Sequence, residues 1–170
     1  MIFEEENGFY AINCDNAIWA TDEQHDIYQK STACFLKDAD WFIETDANII
    51  VVEYKNGIVY RSKESFDPRK DKYIDSVTRK FYDSLHYLTL LGKYKPKKYV
   101  YIVEYPNDDS VSRKMLRNRI SQKLPFALQS KLSQTVKLID DFDVVSISEW
   151  NKKYPDFPIS RTGKPFKDDT

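Results

Sequence analysis

Glycine is scarce in this chain, with only 4 among 170 residues. The phosphate-binding loops of nucleotide-dependent enzymes need closely spaced glycines, so the scarcity argues against such an enzyme. Cysteine is as scarce: Cys14 and Cys34 lack the spacing of a zinc site, and we interpret them as reduced thiols of a cytoplasmic protein. The two histidines, His25 and His86, have no serine or cysteine nucleophile pattern beside them, so a hydrolytic triad has no support.

Long hydrophobic runs are also missing. No apolar stretch approaches the roughly 20 residues that span a bilayer, so we expect no membrane partner. The acidic start of the chain, at 1–6, is unlike a secretory signal peptide. A length of 170 residues predicts a single domain over 1–170 with a fair-sized core.

Charge is plentiful and unevenly divided along the chain. Residues 1–56 carry 12 acidic and 3 basic side chains, whereas residues 57–170 carry 15 acidic and 23 basic ones. An acidic part attracts metal ions and a basic part attracts phosphates, so a cleft between the two could hold both. The alternative is that these charges form solvated faces, and charge alone does not decide between the two interpretations.

Hydrophobic spacing and turn signals predict alternating helices and strands. Polar cap residues followed by acids start a helix of about 22–33. Apolar runs at 40–44 and 48–55 are typical of strands. The Asn-Gly pair at 56–57 is a strong hairpin signal, so we expect a third, antiparallel strand at 58–61.

A longer helix follows. Asp67 and Pro68 are typical of a helix start and Gly92 of a helix end, which predicts a helix of roughly 68–92. Its apolar stripe consists of Ile74, Val77, Phe81, Leu85, Leu88 and Leu91. Downstream we expect a strand at 99–104, a helix at 110–124, a strand at 144–147, a helical segment at 148–150 and an irregular tail at 154–170. This order predicts an α/β fold with a central mixed sheet flanked by helices.

Charged side chains end the second predicted strand. Side chains alternate faces along a strand, so Glu53 and Lys55 share one face, and Asp40 begins the neighbouring strand. Two carboxylates and the backbone carbonyl of Tyr54 are hard oxygen ligands of the kind that Mg²⁺ prefers. The alternative is a surface salt bridge between Glu53 and Lys55, opposite Asp40.

Asp40 and Glu53-Tyr54-Lys55 resemble the signature of the PD-(D/E)XK nuclease superfamily, with Ala39 where the family name has proline. The restriction-endonuclease-like core of that family, αβββαβ, matches residues of about 22–104 and leaves 105–170 as a C-terminal extension. The resemblance implies a metal-dependent endonuclease that hydrolyses phosphodiester bonds in DNA, with RNA as an open alternative. Asp40, Glu53 and the Tyr54 carbonyl would bind Mg²⁺ or Mn²⁺, and Lys55 would assist the attack of water.

Further candidates are weaker. Glu23 is a possible extra metal ligand, although an acid that stabilises a helix N-terminus is the simpler explanation. We expect Glu44 to be a solvated strand end, and Arg79 and Lys80 to be solvent-exposed, with a phosphate contact as the alternative. Basic residues that could bind nucleic acid are Lys80, Lys95, Lys97, Lys98, Arg113 and Arg117.

Two other functions compete with the nuclease. One is a catalytically inactive nuclease fold that binds nucleic acid or a partner protein, although such proteins typically lose one of the three signature residues. The other is a small protein that binds another protein through its aromatic surface. For the nuclease itself, a homodimer or a partner subunit could supply specificity, because one chain has one site.

Overall fold

Two β-sheets organise the chain in a computed structural model that describes residues 1–31, 35–58, 66–133 and 135–165. The elements are β1 (Ile2–Glu4), β2 (Tyr10–Asn13), β3 (Trp19–Thr21), α1 (Gln24–Lys30), β4 (Trp41–Glu44), β5 (Ile49–Asn56), α2 (Asp71–Leu90), β6 (Lys97–Glu104), α3 (Ser110–Ser121), α4 (Phe126–Leu132), β7 (Asp141–Val145), α5 (Ile147–Lys153) and β8 (Ile159–Arg161). One sheet has the order β3-β4-β5-β6-β7 and the other β1-β2-β8.

The five-stranded sheet is mixed, with β5 at its centre. β5 is antiparallel to β4, with Trp41 opposite Val52, and parallel to β6, with Glu53 opposite Tyr101. β6 is in turn parallel to β7. A strand that is covered on both faces has a continuous apolar sequence instead of alternating apolar and polar residues. This explains the Ile-Ile-Val-Val sequence at the start of β5.

Each face of this sheet has its own core. On one face the sheet packs against α1, α2 and α3, through residues that include Phe42, Val51, Phe81, Tyr99 and Leu116. On the other face it packs against α5 and the small sheet, through residues that include Ile12, Trp41, Val52, Trp150 and Ile159. Period two along β5 therefore places Glu53, like Val51, on the face covered by α2.

The prediction of an α/β fold with a helix-flanked mixed sheet is confirmed. In α2, Ile74, Val77, Phe81 and Leu88 are buried as expected, whereas Leu91 is exposed because it lies beyond the last helical residue. Gly92 follows with a φ of 68°, a left-handed conformation that glycine adopts without strain. The helix begins at Asp71 rather than at 68, because the Asp67 carboxylate accepts a hydrogen bond from the Arg69 amide in a preceding turn.

Several short elements depart from the predictions. The tail predicted to be irregular contains β8, so that prediction was wrong, since Ile159 pairs with Ile12. A strand that the sequence did not indicate, β3, precedes α1 and pairs with β4. The predicted third strand at 58–61 lies outside the described residues except for Ile58, which is in a turn.

The cysteines and the helices provide two further observations. Cys14 is a buried free cysteine, and Cys34 lies outside the described residues. Among the helices of the described ranges, none combines the length and the apolar character that a membrane span requires.

Replacing Phe81 with alanine tests this packing. Phe81 is fully buried, and its ring centroid lies 5.1 Å from that of Tyr99. We expect Phe81→Ala to lower the free energy of unfolding by about 3–5 kcal/mol in urea denaturation. The control, Leu90→Ala on the same helix, removes a side chain that is 89% exposed, and its effect should stay within about 0.5 kcal/mol. Equal losses in both variants would contradict the packing described.

Candidate active site

Asp40 and Glu53 lie 13 residues apart in sequence and meet in the structure. Asp40 immediately precedes β4, and its amide donates to the carbonyl oxygen of Val52 at 3.0 Å. Its carboxylate Oδ2 accepts a hydrogen bond from the Tyr54 amide at 2.7 Å. Glu53, the residue before Tyr54, is only 5% exposed, and its carboxyl group lies close enough to that of Asp40 for each to affect the pKa of the other. The antiparallel pairing of β4 and β5 therefore brings both predicted acids to one place.

The cation beside this acid pair is Lys80. Its Nζ donates to both carboxylate oxygens of Glu53, at 2.7 and 2.9 Å, from the middle of α2. The side chain is 22% exposed, so the expectation that Lys80 is solvent-exposed was wrong. Its long aliphatic stem allows the ammonium to reach the sheet from the edge of the apolar stripe. A phosphate could bind Lys80 only by competing with Glu53.

Burial and mutual repulsion govern the protonation of the two acids. Burial raises the pKa of Glu53 to about 8, and the Asp40 charge adds to the rise while Lys80 opposes it. Burial also raises the pKa of Asp40, against the opposing effects of Lys80 and the Tyr54 amide. Burial lowers the pKa of Lys80, yet Glu53 and Asp40 together hold it above its ordinary value. Two such close carboxyl groups retain a proton that separate ones would lose, and a further cation would displace it.

Lys55 differs from the cluster of Asp40, Glu53 and Lys80 in its exposure to solvent. The strand β4 pairs with β5 as far as Val52, and Lys55 lies three residues further along β5, where it is exposed. Its catalytic role stays a prediction.

Two other acids fall outside the pair. Glu23 is exposed at the N-cap position of α1. Glu44 is buried at the far end of β4 and forms ion pairs with Lys93 at 2.5 Å and Lys95 at 2.9 Å. The prediction of a solvated Glu44 was wrong, because the loop before β6 folds over that strand end.

The chemistry of the donors fits a magnesium ion. Within the described ranges, no group of three or more His, Cys, Asp or Glu side chains is arranged to hold a metal. Mg²⁺ nevertheless often binds through one or two carboxylates and keeps several waters. Asp40 and Glu53 supply two hard oxygen ligands, and a metal ion would have to share or displace the contact of the Lys80 ammonium with both Glu53 oxygens. The Tyr54 carbonyl stays the predicted third ligand.

Lys95 and Lys97 are bound within the protein, and Lys97 and Lys98 begin β6 instead of belonging to the predicted loop. Lys95 Nζ donates to the Thr45 carbonyl in addition to its ion pair with Glu44. Lys97 Nζ donates to the carbonyl of Lys95, and Lys98 is half-buried. These contacts leave the predicted nucleic-acid role of the loop untested and give its lysines a structural explanation.

The arginines of α3 are also engaged. Arg113 is 11% exposed and forms ion pairs with Asp108 at 2.5 Å and Glu149 at 2.7 Å. Arg117 donates to the Phe142 carbonyl and lies 3.5 Å from Asp143. Both arginines line a cavity of about 440 Å³ that also contains acids. Two acids neutralise the charge of Arg113, and its role in nucleic-acid binding stays a prediction.

Comparisons of the chain with protein-family models, with curated proteins and with solved structures found no match. No relative therefore supplies an activity for this chain. The function is argued from the geometry of Asp40, Glu53 and Lys80.

The buried acid pair predicts an unusual pH dependence of stability. A glutamate in an unfolded chain has a pKa of about 4.3, whereas that of folded Glu53 is about 8. The folded protein therefore binds the proton more tightly, and stability should fall as the pH rises from about 5 to about 8. Glu53→Gln should make this fall shallower in urea unfolding measured between those values.

The slope is the readout, because Glu53→Gln also leaves the Lys80 ammonium without a charged partner and lowers stability at every pH. Glu23→Gln, which replaces an exposed acid, is the matched control and should reproduce the wild-type slope. A Glu53→Gln slope equal to that of the wild type would refute the raised pKa.

Proposed function

We propose that this protein is a Mg²⁺-dependent endonuclease that hydrolyses phosphodiester bonds in DNA. The observation that carries the proposal is the meeting of Asp40 and Glu53 on adjacent strands, with the Lys80 ammonium bound to Glu53. Buried acids with raised pKa values in contact with a specific cation are characteristic of functional sites.

The arrangement of the elements supports a restriction-endonuclease-like core. The order α1, β4, β5, α2 and β6 is the order expected for that core, apart from the predicted third strand at 58–61. The parallel pairing of β5 and β6, connected through α2, agrees with the last part of that core. On this proposal, β3 adds an edge strand and residues 105–170 form the extension.

Each residue of the site would have a role that follows from its position. Asp40 and Glu53 would hold the ion together with the Tyr54 carbonyl. When bound, Mg²⁺ would polarise the scissile phosphate and lower the pKa of a water molecule. Lys80 opposes the rise in the pKa of Glu53, and a bound cation would displace the proton that the pair retains, so that both carboxylates could serve as ligands. Lys55, exposed beyond the acid pair, would stabilise charge that develops on the phosphate.

A catalytically inactive module that binds nucleic acid or a protein is the second candidate. One observation favours it: Lys80 already neutralises Glu53, and the described residues contain only a two-acid site. In such a protein the Lys80–Glu53 ion pair would join α2 to the sheet without any metal.

Nicking of supercoiled plasmid DNA in the presence of Mg²⁺ or Mn²⁺ tests the proposal. Wild-type protein should cut, and Asp40→Asn or Glu53→Gln should not, because each removes a charged ligand. Lys55→Met should lower the rate about 10²–10³-fold, as expected for loss of a group that stabilises transition-state charge. Lys72→Met, which replaces an exposed lysine of α2, is the matched control and should cut at the wild-type rate.

Cleavage that survives both acid substitutions, or that persists in excess EDTA, would refute the mechanism. If the wild type does not cut, calorimetric titration with Mn²⁺ decides between the two candidates. If the wild type binds Mn²⁺ and Asp40→Asn does not, the metal site is supported. If the wild type does not bind Mn²⁺, the inactive module is favoured.

A further inference from the structure

A buried amide, Gln24, contacts the segment before Asp40 and the helix that carries Lys80. Gln24 is the first residue of α1 and is 0% exposed. Its Oε1 accepts a hydrogen bond from the Ala39 amide at 2.8 Å. The Ser84 hydroxyl lies 3.2 Å from the same oxygen. One side chain therefore links α1, the segment before β4, and α2.

Both partners of Gln24 lie next to the site in sequence. Ala39 immediately precedes Asp40. Ser84 lies one helical turn after Lys80, and its hydroxyl lies 2.7 Å from the Lys80 carbonyl oxygen. Displacement of Gln24 would therefore affect the backbone at Asp40 and the turn of α2 that carries Lys80.

The two sides of Asp40 are held by different elements. The strand β5 holds it through the Val52 carbonyl and the Tyr54 amide. On the other side, the Gln24–Ala39 hydrogen bond holds the peptide between residues 38 and 39, and the Lys37 amide donates to the Asp83 carboxylate in the same segment. That bond requires an amide hydrogen at position 39, which proline would lack.

The acceptor oxygen is the end of the Gln24 amide with a hydrogen-bond partner. Gln24 Nε2 is fully buried, and no hydrogen-bond partner for it is found among the described residues. An apolar side chain of similar length would remove that donor but would leave the buried Ala39 amide without an acceptor, which costs about 1–3 kcal/mol. The acceptor oxygen is therefore the part of the side chain that has a defined task.

We propose that Gln24 is a positioning residue, which orients Asp40 through the Ala39 amide and thereby sets the affinity of the acid pair for a divalent cation. The inference rests on the proposed metal site. Side chains that orient metal ligands without touching the metal typically contribute 10–100-fold to affinity.

Calorimetric titration with Mn²⁺ tests the role of Gln24. Gln24→Met keeps the length of the side chain and removes the acceptor, so Mn²⁺ affinity should fall about 10-fold or more. Gln24→Glu keeps an acceptor oxygen and should restore binding to within about threefold of wild type. Gln29→Met, at an exposed position of the same helix, should leave the affinity unchanged. Equal affinities of wild type and Gln24→Met, or equal losses in Gln24→Met and Gln24→Glu, would overturn the proposal.

A double-mutant cycle separates positioning from loss of folding. Ala39→Pro removes the donor of the same hydrogen bond, so it should weaken Mn²⁺ binding and add nothing when combined with Gln24→Met. Fully additive losses would contradict a shared role. Should Gln24→Met not fold, the single variant Ala39→Pro is the second test, because it removes the donor of the hydrogen bond to Gln24 and keeps the glutamine. Its Mn²⁺ affinity should fall about 10-fold or more, and an unchanged affinity would overturn the proposal.

Absence of the metal site would give a different result from absence of the positioning role of Gln24. If the wild type does not bind Mn²⁺, the proposed function fails, and hydrogen exchange of the Ala39 and Asp40 amides, followed by NMR, tests the positioning alone. Gln24→Met should then speed the exchange of both amides about tenfold or more, because the Ala39 amide loses its acceptor and the backbone before Asp40 opens more often. Exchange rates equal to those of wild type and of Gln29→Met would overturn the inference.

Discussion

The ion pair between Lys80 and Glu53, beside Asp40, is the interaction on which the rest of this structure depends. It joins the longest helix to the central strand of the larger sheet through two hydrogen bonds of 2.7 and 2.9 Å. Removing one partner of a buried pair leaves an uncompensated charge and typically costs about 3–5 kcal/mol. The packing of α2, the register of β4 and β5 and the protonation of both acids must therefore all be compatible with this contact.

The surrounding core makes such a polar cluster tolerable. The sheet is covered on both faces, so β5 can carry one charged side chain inward while its other buried positions contribute apolar area. Replacement of buried ion pairs by apolar residues is often neutral or stabilising. A buried carboxyl pair with raised pKa values therefore adds little to stability. For this reason we interpret the pair as a site for chemistry or for a cation.

Much of this could be predicted from sequence because it depends on local periodicity. The 3.6-residue stripe located α2, and period two placed Glu53 on the inner face of β5 near Asp40. The contact of Lys80 with Glu53 was not predicted, because Lys80 borders the stripe and only tertiary packing shows that its stem reaches the sheet. Gln24 was missed because its partners, Ala39 and Ser84, are distant in sequence. The three-residue strands β3 and β8 are too short to carry a periodic signal and form through long-range pairing.

The claim that Asp40 and Glu53 form one cation site is tested most directly by a crystal structure of the protein soaked in Mn²⁺. An anomalous difference map should show a single peak within coordination distance, about 2.0–2.4 Å, of a carboxylate oxygen from each residue. A peak elsewhere, or a map without one and with Lys80 still bound to both oxygens of Glu53, would contradict the account.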